Sequence, residues 1–112
     1  MKISQRQVDD VTILEPKGKI TIGAGDVMLR DAIDAATRGG SSKVLLDLHG
    51  VSKMDSSGLG ELIAAHNTVT GEGGTIRLMK LPSKLYSVLG ITQIVSVFDV
   101  FDDENEAVNS FR

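Results

Sequence analysis

The sequence predicts a single α/β domain, residues 1–112, built on a mixed β-sheet in which an antiparallel hairpin precedes parallel strands. Alternating residues over 3–16, interrupted by Asp9-Asp10, are typical of two strands joined by a turn. From Lys43 onward, apolar strands alternate with helical patterns, as in parallel sheets. The length of 112 residues suits one domain with one core.

The first half of the chain is expected to hold a hairpin, a short extended piece and a helix. The second hairpin strand is VTILEP, which we expect Pro16 to end. An extended piece over Gly18–Ile22 follows, and the cluster Gly23-Ala24-Gly25-Asp26 interrupts the regular structure. A helix is then predicted up to the stop at Gly39-Gly40. Its expected apolar positions are Val27, Leu29, Ile33 and Ala36.

The second half is expected to alternate strands and helices. Three consecutive apolar residues, Val44-Leu45-Leu46, indicate a strand covered on both faces. The predicted elements, in order, are a strand over Lys43–Leu48, a helix over Ser57–Thr70, a strand over Thr75–Leu81, a helix over Pro82–Leu89, an edge strand over Ile94–Val97 and a last helix over Glu104–Phe111.

Composition excludes several classes of protein. The net charge of −3, with acids and bases interspersed, does not favour a nucleic-acid or membrane partner. The absence of cysteine excludes disulfides and thiolate metal sites. No apolar run approaches the ~20 residues of a membrane span, and the N-terminus lacks the apolar core of a signal peptide. We therefore predict a cytoplasmic protein.

The stretch MDSSGLGEL, residues 54–62, places a carboxylate, two hydroxyls and two glycines at the predicted start of a helix. Asp55, Ser56 or Ser57 could each cap the helix. Capping needs only one of them, however, and Gly58 and Gly60 each cost roughly 1 kcal/mol relative to alanine inside a helix. A purely structural loop would not need this composition.

Catalytic and cofactor interpretations of the same stretch fit poorly. A dinucleotide loop would need Gly or Ala where Ile63 stands, and no Gly-Lys-Ser/Thr loop for nucleotide phosphates occurs. Neither serine lies in a Gly-x-Ser-x-Gly motif. His49 stands in a turn, and His66 lies on the apolar stripe of the helix, where a packed histidine is the commoner role. We predict no catalytic residue, metal or cofactor.

A phosphorylation switch fits better. A hydroxyl at a helix N-terminus is accessible, and a phosphate there is stabilised by free N–H groups and the helix dipole. Phosphorylation adds about −1.5 to −2 charge. Beside Asp55 this charge would repel a partner that docks on the unmodified surface.

The segment DLHGVSKMDSSGLGELI resembles the phosphorylation site of the anti-sigma factor antagonists, a bacterial branch of the STAS domains. The family pattern is a strand ending in Asp-Leu, a turn, and Asp-Ser-Ser/Thr-Gly-Leu-Gly opening a helix. Asp47-Leu48 and residues 55–60 match it. The flanking segments follow the family order across nearly the whole chain. The resemblance implies about four helices packed mainly on one side of the mixed sheet.

The resemblance also implies partners and residue roles. Ser56 would be phosphorylated by an anti-sigma factor that is also a serine kinase. The unphosphorylated protein would bind that kinase and release a sigma factor, and a PP2C-type serine phosphatase would restore binding after phosphorylation. The implied partner-binding residues beside Ser56 are Asp55, Ser57, Gly58, Leu59, Gly60 and Glu61.

The chain departs from the family in the loop after Lys19-Ile20, where many members carry an acid and this chain has Thr21. We expect Thr21, Gly23 and Asp26 to form a neighbouring rim of the docking surface. The alternative is an ordinary loop before a helix, with Asp26 as its cap.

We therefore predict a monomeric anti-sigma factor antagonist that is not an enzyme. Two alternatives stay open. One is a STAS scaffold or small-ligand-sensing module in which Ser56 is never phosphorylated. The other, disfavoured because no acid/base constellation accompanies it, is a phosphate-binding catalytic domain that uses the Gly58–Gly60 loop.

Overall fold

The computed structural model describes residues 1–85, 94 and 96–112, and these form an α/β domain with a six-stranded mixed sheet. The strand order is β1-β2-β3-β5-β6, and β4 pairs separately with β2. The β1–β2 pair is antiparallel and all other pairs are parallel. The elements are β1 (Lys2–Val8), β2 (Val11–Ile20), α1 (Gly25–Arg38), β3 (Lys43–Asp47), β4 (Val51–Met54), α2 (Ser56–Gly71), β5 (Thr75–Met79), a 3₁₀ turn (Ser83–Leu85), β6 (Val100–Phe101) and α3 (Glu104–Asn109).

Strand β2 is longer than predicted, because Pro16 does not end it. Pro16 lies opposite Ile3 of β1. On its other side, β2 pairs with β3 only up to Leu14 and with β4 only from Gly18. Pro16 falls in the gap between these two partners, so its missing N–H breaks neither parallel ladder.

The two long helices cover one face of the sheet. Leu29 and Ile33 of α1 and Leu62 and Val69 of α2 are buried in one cluster with the inward residues of the central strands. Helix α3 lies on the opposite face. There Val108 and Phe111 close a second, smaller cluster with Leu45 of β3 and other residues. Strand β3 is therefore covered on both faces, as its apolar run predicts.

Two further predictions about secondary structure need correction. Three α-helices have complete bounds in the described part of the chain, whereas about four were predicted; the fourth, over Pro82–Leu89, falls largely outside the described residues. The edge strand predicted over Ile94–Val97 is wrong, because Ile94, Ser96 and Val97 are helical. The strand that pairs with β5 is instead Val100–Phe101, directly before the last helix.

Strand β4 was not predicted, because the residues after Leu48 indicated only a turn. Its pairing with the far end of β2 carries the chain directly to Asp55 and the start of α2. The sheet thus presents two segments side by side at one edge, namely the loop that follows β2 and the helix start that follows β4.

Candidate functional site

Helix α2 begins at Ser56, and Asp55 is its N-cap. The Asp55 backbone is extended, with φ −108° and ψ −172°, and its carboxylate accepts a hydrogen bond of 2.9 Å from the Gly58 N–H. This satisfies one of the donors that a helix start leaves unpaired. Ser56, the first helical residue, is exposed, and Ser57 is half-buried. The predicted phosphorylation site is therefore accessible.

The Asp55 carboxylate also joins the helix start to the loop after β2. Its other oxygen, Oδ2, accepts a hydrogen bond of 3.0 Å from the Ile22 N–H. The N–H groups of Ile22 and Gly58 lower the pKa of Asp55, because both bonds stabilise the charged form. A negative charge is thus fixed next to Ser56, and the 21–24 loop is fixed beside it.

Two glycines allow this close approach. A Cβ on Gly58 would overlap the carbonyl oxygen of Ile20 and lie 2.7 Å from the Cγ of Met54. A Cβ on Gly25 would overlap the carbonyl oxygen of Lys19. Both helix starts therefore press against the end of β2 at positions where only hydrogen fits.

The other predicted contact residues of α2 divide into buried and accessible ones. Gly58 and Leu59 are buried, and Leu59 belongs to the main core cluster. Gly60 is exposed, with nothing within 4 Å of the position of a Cβ. The Glu61 carboxylate accepts a hydrogen bond of 3.0 Å from the Nε of Arg30 on α1, which raises the pKa of Arg30.

The predicted second rim lies beside Asp55, but Asp26 does not occupy the cap position. The N-cap of α1 is Ala24, which offers no side-chain acceptor. Asp26 is buried in the first turn, and its carboxylate accepts from the N–H groups of Gly23 (3.1 Å) and Val27 (2.8 Å). Gly23 is exposed, with φ +103°, and Thr21 is half-buried. Asp26 therefore holds the loop shape from within.

Sequence reasoning missed three exposed apolar side chains next to this loop. Ile22 is 74% exposed, Val27 39% and Met28 38%, and we call these three the apolar rim. They are the large apolar residues classed as exposed in the described part of the chain. Val27 was predicted to face the core, yet it lies two residues before Leu29 and so off the buried stripe of α1. An isoleucine in the glycine-rich TIGAG stretch was the available signal for Ile22.

The two histidines, the candidate bases of a catalytic interpretation, lie in different parts of the fold. His66 packs edge-on against Phe98, with ring centroids 5.6 Å apart, and His49 lies in the turn between β3 and β4. No group of three or more potential metal ligands occurs among residues 1–85, 94 and 96–112. Across the same residues, no helix is long and apolar enough to cross a membrane.

The chain is similar to proteins of a known family. The sequence model of the STAS domain matches residues 2–107. A Thermotoga maritima protein, provisionally named an anti-sigma factor antagonist, is 28% identical over 105 residues, which cover 94% of this chain and 93% of that protein. The anti-sigma-B factor antagonist of Bacillus subtilis is 28% identical over 83 residues, 74% of either chain.

Solved structures agree with this placement. A crystal structure from Thermotoga maritima superposes with a TM-score of 0.87 at 26% identity, covering 98% of this chain and 94% of that one. The Bacillus cell fate determinant SpoIIAA in its phosphorylated form gives a TM-score of 0.73 over 99% of this chain and 100% of that one. At 18% identity, the second likeness shows the fold alone.

Proposed function

The chain belongs to the STAS domain family, and from that premise we propose that it is an anti-sigma factor antagonist switched by phosphorylation of Ser56. The unphosphorylated protein binds an anti-sigma factor that is also a serine kinase, and so releases a sigma factor. Phosphorylation ends this binding, and a PP2C-type serine phosphatase restores it. The observation that carries the proposal is an exposed Ser56 next to the Asp55 carboxylate, which is hydrogen-bonded to the backbone of Ile22 in the apolar rim.

The apolar rim supplies the binding energy in this proposal. Exposed apolar side chains gain roughly 25 cal/mol for each Å² that a partner removes from water. The Asp55–Ile22 hydrogen bond keeps Ile22 beside the serine, so a partner that covers the rim also covers Ser56. Gly60 and Ser57 complete the accessible surface, while Gly58 and Leu59 act by seating the helix in the core.

Phosphorylation would oppose docking in two ways. The phosphate places about −1.5 to −2 charge beside a carboxylate whose pKa is already lowered, so the local charge becomes strongly negative. It also adds a strongly hydrated group to a surface that binds by losing water, and that group must be desolvated or displaced. The domain contributes only the hydroxyl that is modified, and the kinase and phosphatase contribute the catalysis.

The decisive experiment combines site mapping with binding. The protein purified from its own cells should carry one phosphate on Ser56, removable by a serine phosphatase and detected by mass spectrometry. Ser56→Ala should bind the kinase with unchanged affinity but accept no phosphate. Ser56→Asp should bind at least roughly tenfold more weakly, because like charges then meet across the interface.

Ser57→Ala is the matched control, since it removes the neighbouring, half-buried hydroxyl and should stay phosphorylatable. Absence of phosphate on Ser56 under every growth condition would contradict the switch and favour a STAS scaffold or ligand-sensing module. Unweakened binding by Ser56→Asp would contradict repulsion as its mechanism.

A further inference from the structure

Four lysines form a band on the sheet face that points away from α1 and α2. Lys2 lies directly opposite Lys17, and Lys19 lies directly opposite Lys53. Lys17 and Lys19 are exposed and alternate along β2 with residues of the core side, of which Ile20 is fully buried. Because strand side chains alternate between faces, Lys17, Lys19 and the paired Lys2 share the outer face. The register of β4 shifts beside Lys19, but Met54 lies opposite Ile20 in the main core cluster, so the neighbouring Lys53 also faces outward. We call them the lysine band.

The lysine band is a positive patch on a chain of net charge −3. Among the described residues, no carboxylate oxygen lies within 4.0 Å of any of the four ammonium nitrogens. Elsewhere on the described surface, ion pairing is common. The cations that do pair with carboxylates are Arg6, Arg30, Lys43, Arg77 and Arg112.

This arrangement works against stability. Like charges directly opposite each other on neighbouring strands destabilise a sheet, and here two such pairs stand side by side. Lysines on edge strands deter unwanted strand pairing, which accounts for Lys2 on β1 and Lys53 on β4. That explanation does not reach Lys17, because β2 lies inside the sheet. A group of residues that lowers stability and brings no structural benefit is expected where a surface has a function.

The lysine band adjoins the proposed docking surface. Lys53 precedes Ser56 by three residues, and Lys19 precedes Ile20, whose carbonyl oxygen touches the first turn of α2. The side chain of Lys17 packs over the backbone of Gly50, because its Cγ is 2.7 Å from the point where a Cβ would stand on that glycine. Lys19 and Lys53 therefore lie on the two strands whose ends carry the 21–24 loop and Ser56.

We propose that the lysine band is a second contact surface for the kinase and receives an acidic patch of that partner. The inference rests on the proposed function and specifies the chemistry of the partner surface. Complementary charge across an interface mainly speeds association. It also explains why phosphorylation is effective, because a phosphate on Ser56 would repel the same acidic patch and offset the attraction of the lysines. A net acidic chain suits a protein partner better than nucleic acid, which binds domains of positive net charge.

The test compares two double variants with the same change in net charge. Lys19→Gln/Lys53→Gln removes half of the lysine band. Arg38→Gln/Lys43→Gln removes two cations near the start of β3, away from Ser56. Association and dissociation rates with the purified kinase are measured by stopped flow at low and high salt. We expect the band variant to associate at least roughly tenfold more slowly at low salt, with a flatter salt dependence, and the control to change less than about twofold.

A charge reversal separates binding from folding. Lys17→Glu should raise the melting temperature, because it replaces repulsion with Lys2 by attraction, and should nevertheless slow association with the kinase. A variant that is more stable yet slower to bind excludes misfolding as the cause. A Lys17→Glu protein that associates at the wild-type rate would count against the proposal.

The remaining outcomes identify other occupants or a failure of the premise. Unchanged association of Lys19→Gln/Lys53→Gln overturns the lysine band as a contact surface and leaves the proposed function intact. If the band variant binds the kinase normally but its phosphorylated form is dephosphorylated more slowly, the occupant is the phosphatase and the proposal is wrong.

Loss of binding to vesicles of anionic lipid, with normal kinase binding, would assign the band to a membrane. Failure of the wild-type protein to bind the kinase would overturn both proposals.

Discussion

The helix starts near Ser56 and the last helix, α3, are held against the sheet in different ways. At the end that carries Ser56, backbone groups make the contacts, through the N–H bonds to Asp55 and the carbonyl oxygens that press against Gly25 and Gly58. On the opposite face, α3 is held by side chains. Arg6 forms ion pairs with Glu15 and Glu104, and Phe111 lies 4.8 Å from the guanidinium of Arg77.

The position of Ser56 relative to the apolar rim is set more precisely than the position of α3. Backbone contacts leave little freedom in distance, so they fix Ser56 and the apolar rim relative to each other. Side-chain contacts across an exposed face depend on ionic strength and pH, and several of them hold α3 in place together. We therefore expect substitutions around α3 to alter stability alone, and substitutions at the helix starts to alter stability and recognition together.

Phe111→Ala should have the largest effect on stability. Phe111 is buried in the smaller cluster and covers Arg77, so truncation should cost about 3 kcal/mol, near the lower end for a buried phenylalanine. Below the new melting temperature, Ser56 should be phosphorylated at the wild-type rate. Urea unfolding and a kinase assay measure the two quantities. A slower kinase reaction in folded Phe111→Ala would contradict the expectation that substitutions around α3 alter stability alone.

Gly58→Ala should destabilise the domain by about 2 kcal/mol, because the new methyl group forces α2 away from Ile20 and Met54. Unlike Phe111→Ala, it should also weaken kinase binding, since Ser56 moves with the helix. Gly60→Ala is the matched control. Gly60 lies in the same helix with open space around it, so alanine there should stabilise by up to about 1 kcal/mol. Equal effects of the two substitutions in urea unfolding would contradict close packing as the role of Gly58.

Glu104→Gln should have the smallest effect, about 1 kcal/mol or less in low salt, because the Arg6–Glu104 pair is partly exposed. The hydrogen bond from Arg6 lowers the pKa of Glu104 below its usual 4.5. The pair therefore contributes stability above pH 4.5 and loses it as the pH falls through the lowered value in the folded protein. Unfolding free energies from pH 7 to pH 3 should show this loss in the wild type.

The control for this titration is Glu106→Gln, which changes an exposed acid in the same first turn of α3. It should keep the acid-dependent loss that Glu104→Gln abolishes. High salt should reduce the difference between Glu104→Gln and the wild type, while leaving the effect of Gly58→Ala nearly unchanged.

Much of the architecture followed from periodicity. The predicted helix over Ser57–Thr70 agrees with α2 to within one residue at either end, and the apolar run of β3 indicated coverage on both faces. The errors arose where a partner strand overrides a local rule. Proline interrupts most strands, but Pro16 falls between the segments of β2 that pair with β3 and with β4. Strand β4 is too short to show an alternating pattern, and its extended conformation depends on pairing with β2.

The sequence by itself determined the fold class and singled out Ser56 as the proposed switch site, because hydrophobic alternation and the Asp-Ser-Ser-Gly-Leu-Gly motif are local patterns along the chain. Only the tertiary structure decided what surrounds Ser56. The Asp55–Ile22 hydrogen bond, the apolar rim and the lysine band join residues far apart in sequence. Their meeting depends on sheet register and on two helices packed against the end of β2, and neither is set by the residues adjoining the motif.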